Sequence, residues 1–144
     1  MGDRDHPRCK SEDIRNLAAA LGVEVSRIAR FESVYRFSRG SPRKAKLLVD
    51  LIRGKNLVEA DTLLRFNIKR AAVEVRKALR AAAADAQQAN ADENALVVSQ
   101  SRVDDGPRMK RFHQKDRGRA HRILKRMAHI RISLEEKAGG GRRR

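Results

Sequence analysis

Residues 108–126 hold nine Lys and Arg and a single acid, Asp116. No core of a 144-residue chain can take in such a segment, because each buried charge needs a partner and the local supply of acids is one. The segment must project into solvent or lie on a polyanion. It carries +8 of the chain's formal net charge of +16, and like-charge blocks of this density are usually interaction segments.

What flanks the segment limits its shape. Leu96-Val97-Val98 and Val103 suggest a strand before it. After it, Ile130, Ile132 and Leu134 alternate with Arg131 and Ser133, the period-two pattern of a half-buried strand. Two strands joined by a basic stretch make a hairpin, and two turns compete for its tip. Asp105-Gly106 is a favoured two-residue turn and would give a short hairpin. Lys115-Asp116-Arg117-Gly118 would give a long one, whose arm reaches roughly 65 Å at about 3.3 Å per residue. A bare two-stranded ribbon is marginal in water, so a long arm implies a partner that orders it.

The part before residue 96 reads as helical. Ser11-Glu12-Asp13 can cap a short helix with Ile14, Leu17, Ala18 and Leu21 on one face and Gly22 at its end. A second short helix is expected over residues 23–30, and Phe31 to Ser38 lean towards a strand. Ser41 suits a helix N-cap and Pro42 the first helical position, with Ala45, Leu48, Val49 and Ile52 on one face and Gly54 as the stop. Asn56 can cap a helix with Ala60, Leu63 and Leu64 on its apolar side. Asn67 can cap a third, longer one, about 35 Å at roughly 1.5 Å per residue. On it Ile68, Ala72, Val75, Leu79, Ala82 and Ala86 fall on one face. The expectation is an α+β fold: three helices packed on a small antiparallel sheet, with one long extended β-hairpin. The expected units are an N-terminal extension over 1–32, partly helical or disordered, a core over 33–136 with its hairpin at about 96–134, and a flexible basic tail over 137–144.

Charge and composition restrict function. A net +16 favours nucleic acid or an anionic membrane surface. No run of apolar residues is long enough for a membrane span, and no basic helix has a strongly apolar face. The N-terminus lacks a secretory apolar stretch, and Asp3, Asp5, Glu12 and Asp13 make it too acidic for a transit peptide. Cys9 is the single cysteine, so it reads as a free thiol in a reducing compartment. Together with His6 it supplies only two ligands, too few for zinc. No catalytic constellation is present: no Walker loop, no Gly-x-Ser-x-Gly, no His-Glu-x-x-His. The chain is expected to be no enzyme and to hold no metal or cofactor. With one Tyr, four Phe and no Trp, binding should rest on phosphate contacts and shape rather than on base stacking.

The residues expected to carry that binding are Arg108, Lys110, Arg111, Lys115, Arg117, Arg119, Arg122, Lys125 and Arg126. Arg pairs its planar fork with phosphate oxygens, and Lys adds a compact charge. Arg43 and Lys44, with Lys46, sit in the first turns of a helix. The backbone amides there favour anions, and cations are unfavourable unless an anion binds. His129 can donate to a phosphate or base, although a packed histidine is the commoner case. Met109 and Met127 read as packing residues.

Several motifs resemble one family. Ser41-Pro42-Arg43-Lys44-Ala45-Lys46 with Leu51-Ile52-Arg53-Gly54-Lys55, and Lys69-Arg70-Ala71-Ala72 with Val75 to Leu79, are similar to the helical core of large-subunit ribosomal protein twenty-two. Val103-Asp104-Asp105-Gly106-Pro107-Arg108-Met109-Lys110-Arg111 resembles its hairpin entry. Arg117-Gly118-Arg119-Ala120, Arg122-Ile123-Leu124-Lys125-Arg126 and His129-Ile130 resemble its return strand. The resemblance covers about residues 33–136. Departures are Met127-Ala128 where a hydroxyl pair is usual, Asp85 where Asn is common, and Asp116 near the tip.

The resemblance implies a hairpin tip near residues 113–118 and a structural role in the large ribosomal subunit, in the cytoplasm. It implies large-subunit ribosomal RNA as partner and adds Arg53, Lys55 and Lys69 to the RNA contacts. It implies neighbouring ribosomal proteins including protein four, and a role in early subunit assembly. It further implies a hairpin lining the nascent-peptide exit tunnel, with Met109, Lys110, Arg111, His113, Gln114 and Lys115 closest to the passing peptide.

Two other readings stand beside it. Leu17-Ala18, Leu21-Gly22-Val23, Ile28 and Phe31 have helix-turn-helix spacing, which would suit a DNA-binding regulator. A basic β-arm could also grip a nucleic-acid groove, but the tip His113-Gln114-Lys115-Asp116 lacks apolar wedges.

Overall fold

The structure is a computed structural model and describes residues 11–137. The expectations for His6, Cys9, the first ten residues and the basic tail fall outside these residues. The elements run α1 (Ser11–Leu21), α2 (Val25–Ile28), β1 (Phe31–Ser38), α3 (Pro42–Ile52), α4 (Leu57–Arg65), α5 (Arg70–Gln88), β2 (Leu96–Asp105), β3 (Met109–Gln114), β4 (Ala120–Lys125) and β5 (Ala128–Glu136). This is the expected α+β class.

β5 lies at the centre of a three-stranded antiparallel sheet, ordered β1-β5-β2. Ile130, Ile132 and Leu134 on one face of β5 are fully buried. They meet Leu48, Val49 and Ile52 of α3 and Val75, Leu79, Ala82 and Ala86 of α5 in one core. α5 carries Ala at four of its six buried positions, and these small side chains let the helix lie close to the sheet while keeping high helix propensity.

Bulges set which residues face that core. In β2, Leu96 and Val98 point inward, whereas the next inward residues are Ser101 and Val103, an odd spacing that no regular strand allows. A register shift between Val98 and Gln100 resolves it. Ser101, thereby buried, donates its hydroxyl to the Val49 carbonyl at 3.0 Å. The residues after α3 protect the edge of β2: Gly54 N–H donates to Val98 O and Val98 N–H donates to Lys55 O, both at 2.9 Å. Gly54 has φ +76°, a turn that an L side chain would strain.

The third helix differs from expectation. It begins at Arg70, not beside Asn67, and its nineteen residues span about 28 Å. The Asn67 side chain accepts the Lys69 N–H at 3.0 Å, a local turn that competes with helix. Ile68, expected on the apolar face, is fully exposed. At the N-terminus α1 and α2 form as expected, but α2 has only four residues, Ile28 is partly exposed and Phe31 belongs to β1. A recognition helix with its packing residues is therefore absent among the described residues, which removes the helix-turn-helix reading.

Candidate nucleic-acid interface

The arm is continuous through Asp105-Gly106. Gly106 N–H donates to Met127 O at 2.9 Å, so the chain there is still paired across the ribbon and does not turn. The tip lies further out, where Lys115 N–H donates to Arg119 O at 2.8 Å. Arg117 (φ +56°) and Gly118 (φ +70°) make the reversal. The long hairpin is the one formed. Between its two halves the regular strands stop at residues 106–108 and 126–127. Among the described residues the Gly106–Met127 bond is the one backbone link there, and Pro107 has no amide to add another.

Of the twelve residues in β3 and β4, eleven are exposed and Met109 is half-buried. Their register separates the charges. Met109 faces Lys125, Lys110 faces Leu124, Arg111 faces Ile123 and Phe112 faces Arg122. Each cation thus stands opposite an apolar side chain. Like charges directly opposite would destabilise the ribbon, and this register avoids them while leaving the guanidinium and ammonium heads free to reach outward. His113 faces His121 next to the tip.

Cations of the globular part are handled differently. Arg53 donates to Asp50 at 2.8 Å and to the Ser101 carbonyl at 2.6 Å. Lys55 pairs with Glu59 at 2.6 Å. Arg131 lies 2.9 Å from Glu32, and Arg30 3.4 Å from Glu135. Arg76 holds both Asp61 oxygens at 2.7 and 2.8 Å, joining α5 to α4. That hydrogen bond from Arg76 is the main reason the Asp61 carboxyl sits below its ordinary value; partial burial opposes the shift, and the Arg76 and Arg80 charges add to it. In contrast, none of the nine Lys and Arg of residues 108–126 pairs with a carboxylate among the described residues.

The unpaired charge continues into a cleft at the base of the arm. Arg39, Arg70, Lys125 and Arg126 line one side of it with Met109 and Leu124. An adjoining recess is lined by Arg43, Arg108 and Arg126, with Asp105 as its one acid. The topology brings these together: β1 ends at Ser38, α3 starts at Pro42, and both lie next to the strand exchange at residues 126–128. Neither α3 nor α5 has an acid in its first turn. Their first turns instead carry Arg43 with Lys44, and Arg70, with Lys69 at the N-cap, cations that oppose the helix dipole unless an anion lies between. Ser41 takes the N-cap position of α3 through its carbonyl, not its hydroxyl.

Of the residues expected to bind, the fold gathers Arg43, Arg108, Lys125 and Arg126 at the cleft. It strings Lys110, Arg111, Lys115, Arg117, Arg119 and Arg122 along the arm. Lys44 and Lys69 are exposed nearby in sequence, while Arg53 and Lys55 already have partners. His129 serves the fold: its Nδ1 accepts the Phe37 N–H at 3.1 Å. Arg39 and Arg70 escape sequence reasoning; the one signal for them is their place beside two helix starts. Met127 lines the cleft, and Ala128 is fully buried against Ser38 and Asp105, a position with no room for a solvated hydroxyl. Among the described residues no group of side chains is arranged to hold a metal, and no helix is long and apolar enough to cross a membrane.

Comparison with known proteins agrees with this geometry. Residues 33–135 match the family described as Ribosomal protein L22p/L17e. The chain is 47% identical over 103 residues to "Large ribosomal subunit protein uL22" of Desulfosudis oleivorans, covering 72% of this chain and 90% of that protein. It is 48% identical over 110 residues to the protein of the same name from Thermus thermophilus, covering 75% and 96%. For Clostridium novyi the identity is 38% over 107 residues, covering 74% and 96%. A basic two-stranded arm on a small α+β body, and a match across nearly all of that body, make this chain a member of the Ribosomal protein L22p/L17e family.

Proposed function

We propose that the chain is a scaffold of the large ribosomal subunit whose arm and basal cleft bind ribosomal RNA, support early subunit assembly and line the nascent-peptide exit tunnel. The family is structural rather than enzymatic, and the bacterial type resides in the ribosome, in the cytoplasm. One observation supports the reading: acids pair with Arg53, Lys55, Arg76 and Arg131 in the body, while among the described residues no arm or cleft cation forms an ion pair. Unpaired cations spaced along an exposed ribbon repel one another in the free chain and gain most when phosphates lie between them.

In this scheme Arg43, Arg108, Lys125 and Arg126, joined by Lys44 and Lys69, clamp phosphates at the base. Lys110, Arg111, Arg117, Arg119 and Arg122 do so along the arm. Arg53 and Lys55 contribute less, because RNA would compete with Asp50 and Glu59 for them. His129 acts by holding the arm's root. The tip, with His113, Gln114 and Lys115, and the inner stretch of the arm, with Met109, Lys110 and Arg111, face the passing peptide, and the tip stands opposite an extension of large-subunit protein four.

Binding of the full chain to large-subunit ribosomal RNA, measured against salt, tests the clamp. Engagement of six to ten phosphates predicts a drop of roughly 10³–10⁵-fold in affinity between 50 and 200 mM salt. A flat response overturns it. A photo-crosslinker at Gln114 in assembled ribosomes carrying a stalled chain should label the nascent peptide. Labelling of RNA alone would remove the tunnel assignment.

A further inference from the structure

We infer that Phe66 is a stacking platform for an unpaired RNA base, a mode of binding different from the phosphate clamps; this rests on the RNA-binding reading above. Phe66 is 77% exposed, the most exposed of the chain's four Phe. Phe37 and Phe112 are exposed too, but Phe37 packs edge to face on His129 and Phe112 lies on the arm. It is not loosely held. Its N–H donates to Thr62 O at 3.2 Å at the end of α4, with αR backbone angles. On the other side the Asn67 carboxamide accepts the Lys69 N–H at 3.0 Å. The connection between α4 and α5 is therefore fixed from both ends, and it presents the ring without covering it.

Its neighbours indicate the partner. Arg65, Lys69 and Arg70 are exposed, and among the described residues none pairs with a carboxylate. An exposed ring set among three free cations suits a nucleotide, whose base stacks while its phosphate is held. A protein partner's apolar surface would leave those charges desolvated and unpaired. Arg70 also lines the cleft at the arm's base, so the platform continues the proposed RNA surface rather than forming an isolated patch. Ile68, two residues on in the same connection, is also fully exposed.

The test uses the full chain and naked large-subunit ribosomal RNA. Phe66→Ala should weaken binding about 5- to 150-fold, the range for removing one stacked base. The salt slope should stay unchanged, because every phosphate remains engaged. Phe66→Tyr should bind as the wild type does. Ultraviolet crosslinking followed by mass spectrometry should find nucleotide on the peptide containing Phe66. The thermal midpoint of Phe66→Ala should stay that of the wild type, since the ring is exposed. Wild-type binding with Phe66→Ala equal to it overturns the platform alone, and is the result expected if a neighbouring protein covers this ring instead. A wild-type chain that fails to bind the RNA overturns the platform and the wider reading together.

Discussion

Phe37 donates its backbone N–H to His129 Nδ1 at 3.1 Å, and the two rings meet edge to face with centroids 5.0 Å apart. Phe37 has φ +59°, a strained angle for an aromatic residue. It lies in the register shift of β1 between Tyr35 and Ser38. His129 thus satisfies an amide that the bulge removes from the ladder, at the point where β5 passes from the arm into the core.

Replacing His129 by Ala should lower stability by about 1 kcal/mol, the net worth of one exposed hydrogen bond and of the ring partner for Phe37. Thermal unfolding measures it. An unchanged midpoint would mean the bulge holds itself.

The root of the arm is also tight on its other strand. A Cβ at Gly106 would stand 3.1 Å from the Met127 carbonyl carbon and 3.2 Å from His129 Nε2. The Met127 backbone cannot yield as a side chain can. Gly106→Ala should therefore cost about 1–2 kcal/mol through overpacking. RNA affinity should fall too, as the arm is displaced from the cleft. Normal stability and affinity would show that the root is pliant.

Asp61 makes a prediction about acid. Its folded pKa is lowered, chiefly by the hydrogen bond from Arg76. Its stabilisation is therefore fully present above the ordinary carboxylate value of 3.8 and disappears as pH falls through the lower folded value. Asp61→Asn should be less stable than wild type by about 1 kcal/mol at neutral pH. The gap should close below pH 3.8. A gap that persists in strong acid would assign the effect to packing.

Paired and unpaired cations should behave differently on RNA. Changing Arg108, Lys110 and Arg111 together to Ala should reduce the salt slope by roughly 0.7–0.9 for each phosphate no longer neutralised, with little change in melting. Arg53→Ala should do the reverse, since it gives up the bond to the Ser101 carbonyl. Equal effects on the slope would show that Asp50 does not shield Arg53.

Much of the candidate interface was legible in order along the chain. The charge block at 108–126 had to lie outside any core, and the alternation of Ile130, Ile132 and Leu134 marked the strand that became the sheet's centre. Ser41-Pro42 and Asn56 marked helix starts that formed where expected, although neither Ser41 nor Asn56 caps through its side chain; the fixed φ of Pro42 is a local constraint. Asn67 misled for a related reason: a short polar side chain that can cap a helix can also bond its own backbone two residues on.

The sequence alone determined that the arm would be basic and unburied, since no arrangement of so few acids could neutralise it. It left the tip open between two turns with similar local propensity. Tertiary structure decided that point, because the pairing of β2 with β5 runs to Asp105 opposite Ala128 and Gly106 still bonds to Met127 beyond it, which leaves no turn there. It also decided that Arg39, Arg70 and Arg126 share one cleft, with Arg43 in the recess that adjoins it. Residues so far apart along the chain meet only where β1, α3, α5 and the arm converge, and no local pattern encodes that convergence. Packing also supplied Arg76 with Asp61 and Arg131 with Glu32, partners far apart along the chain, whereas the Arg53–Asp50 and Lys55–Glu59 pairs, three and four residues apart, are local.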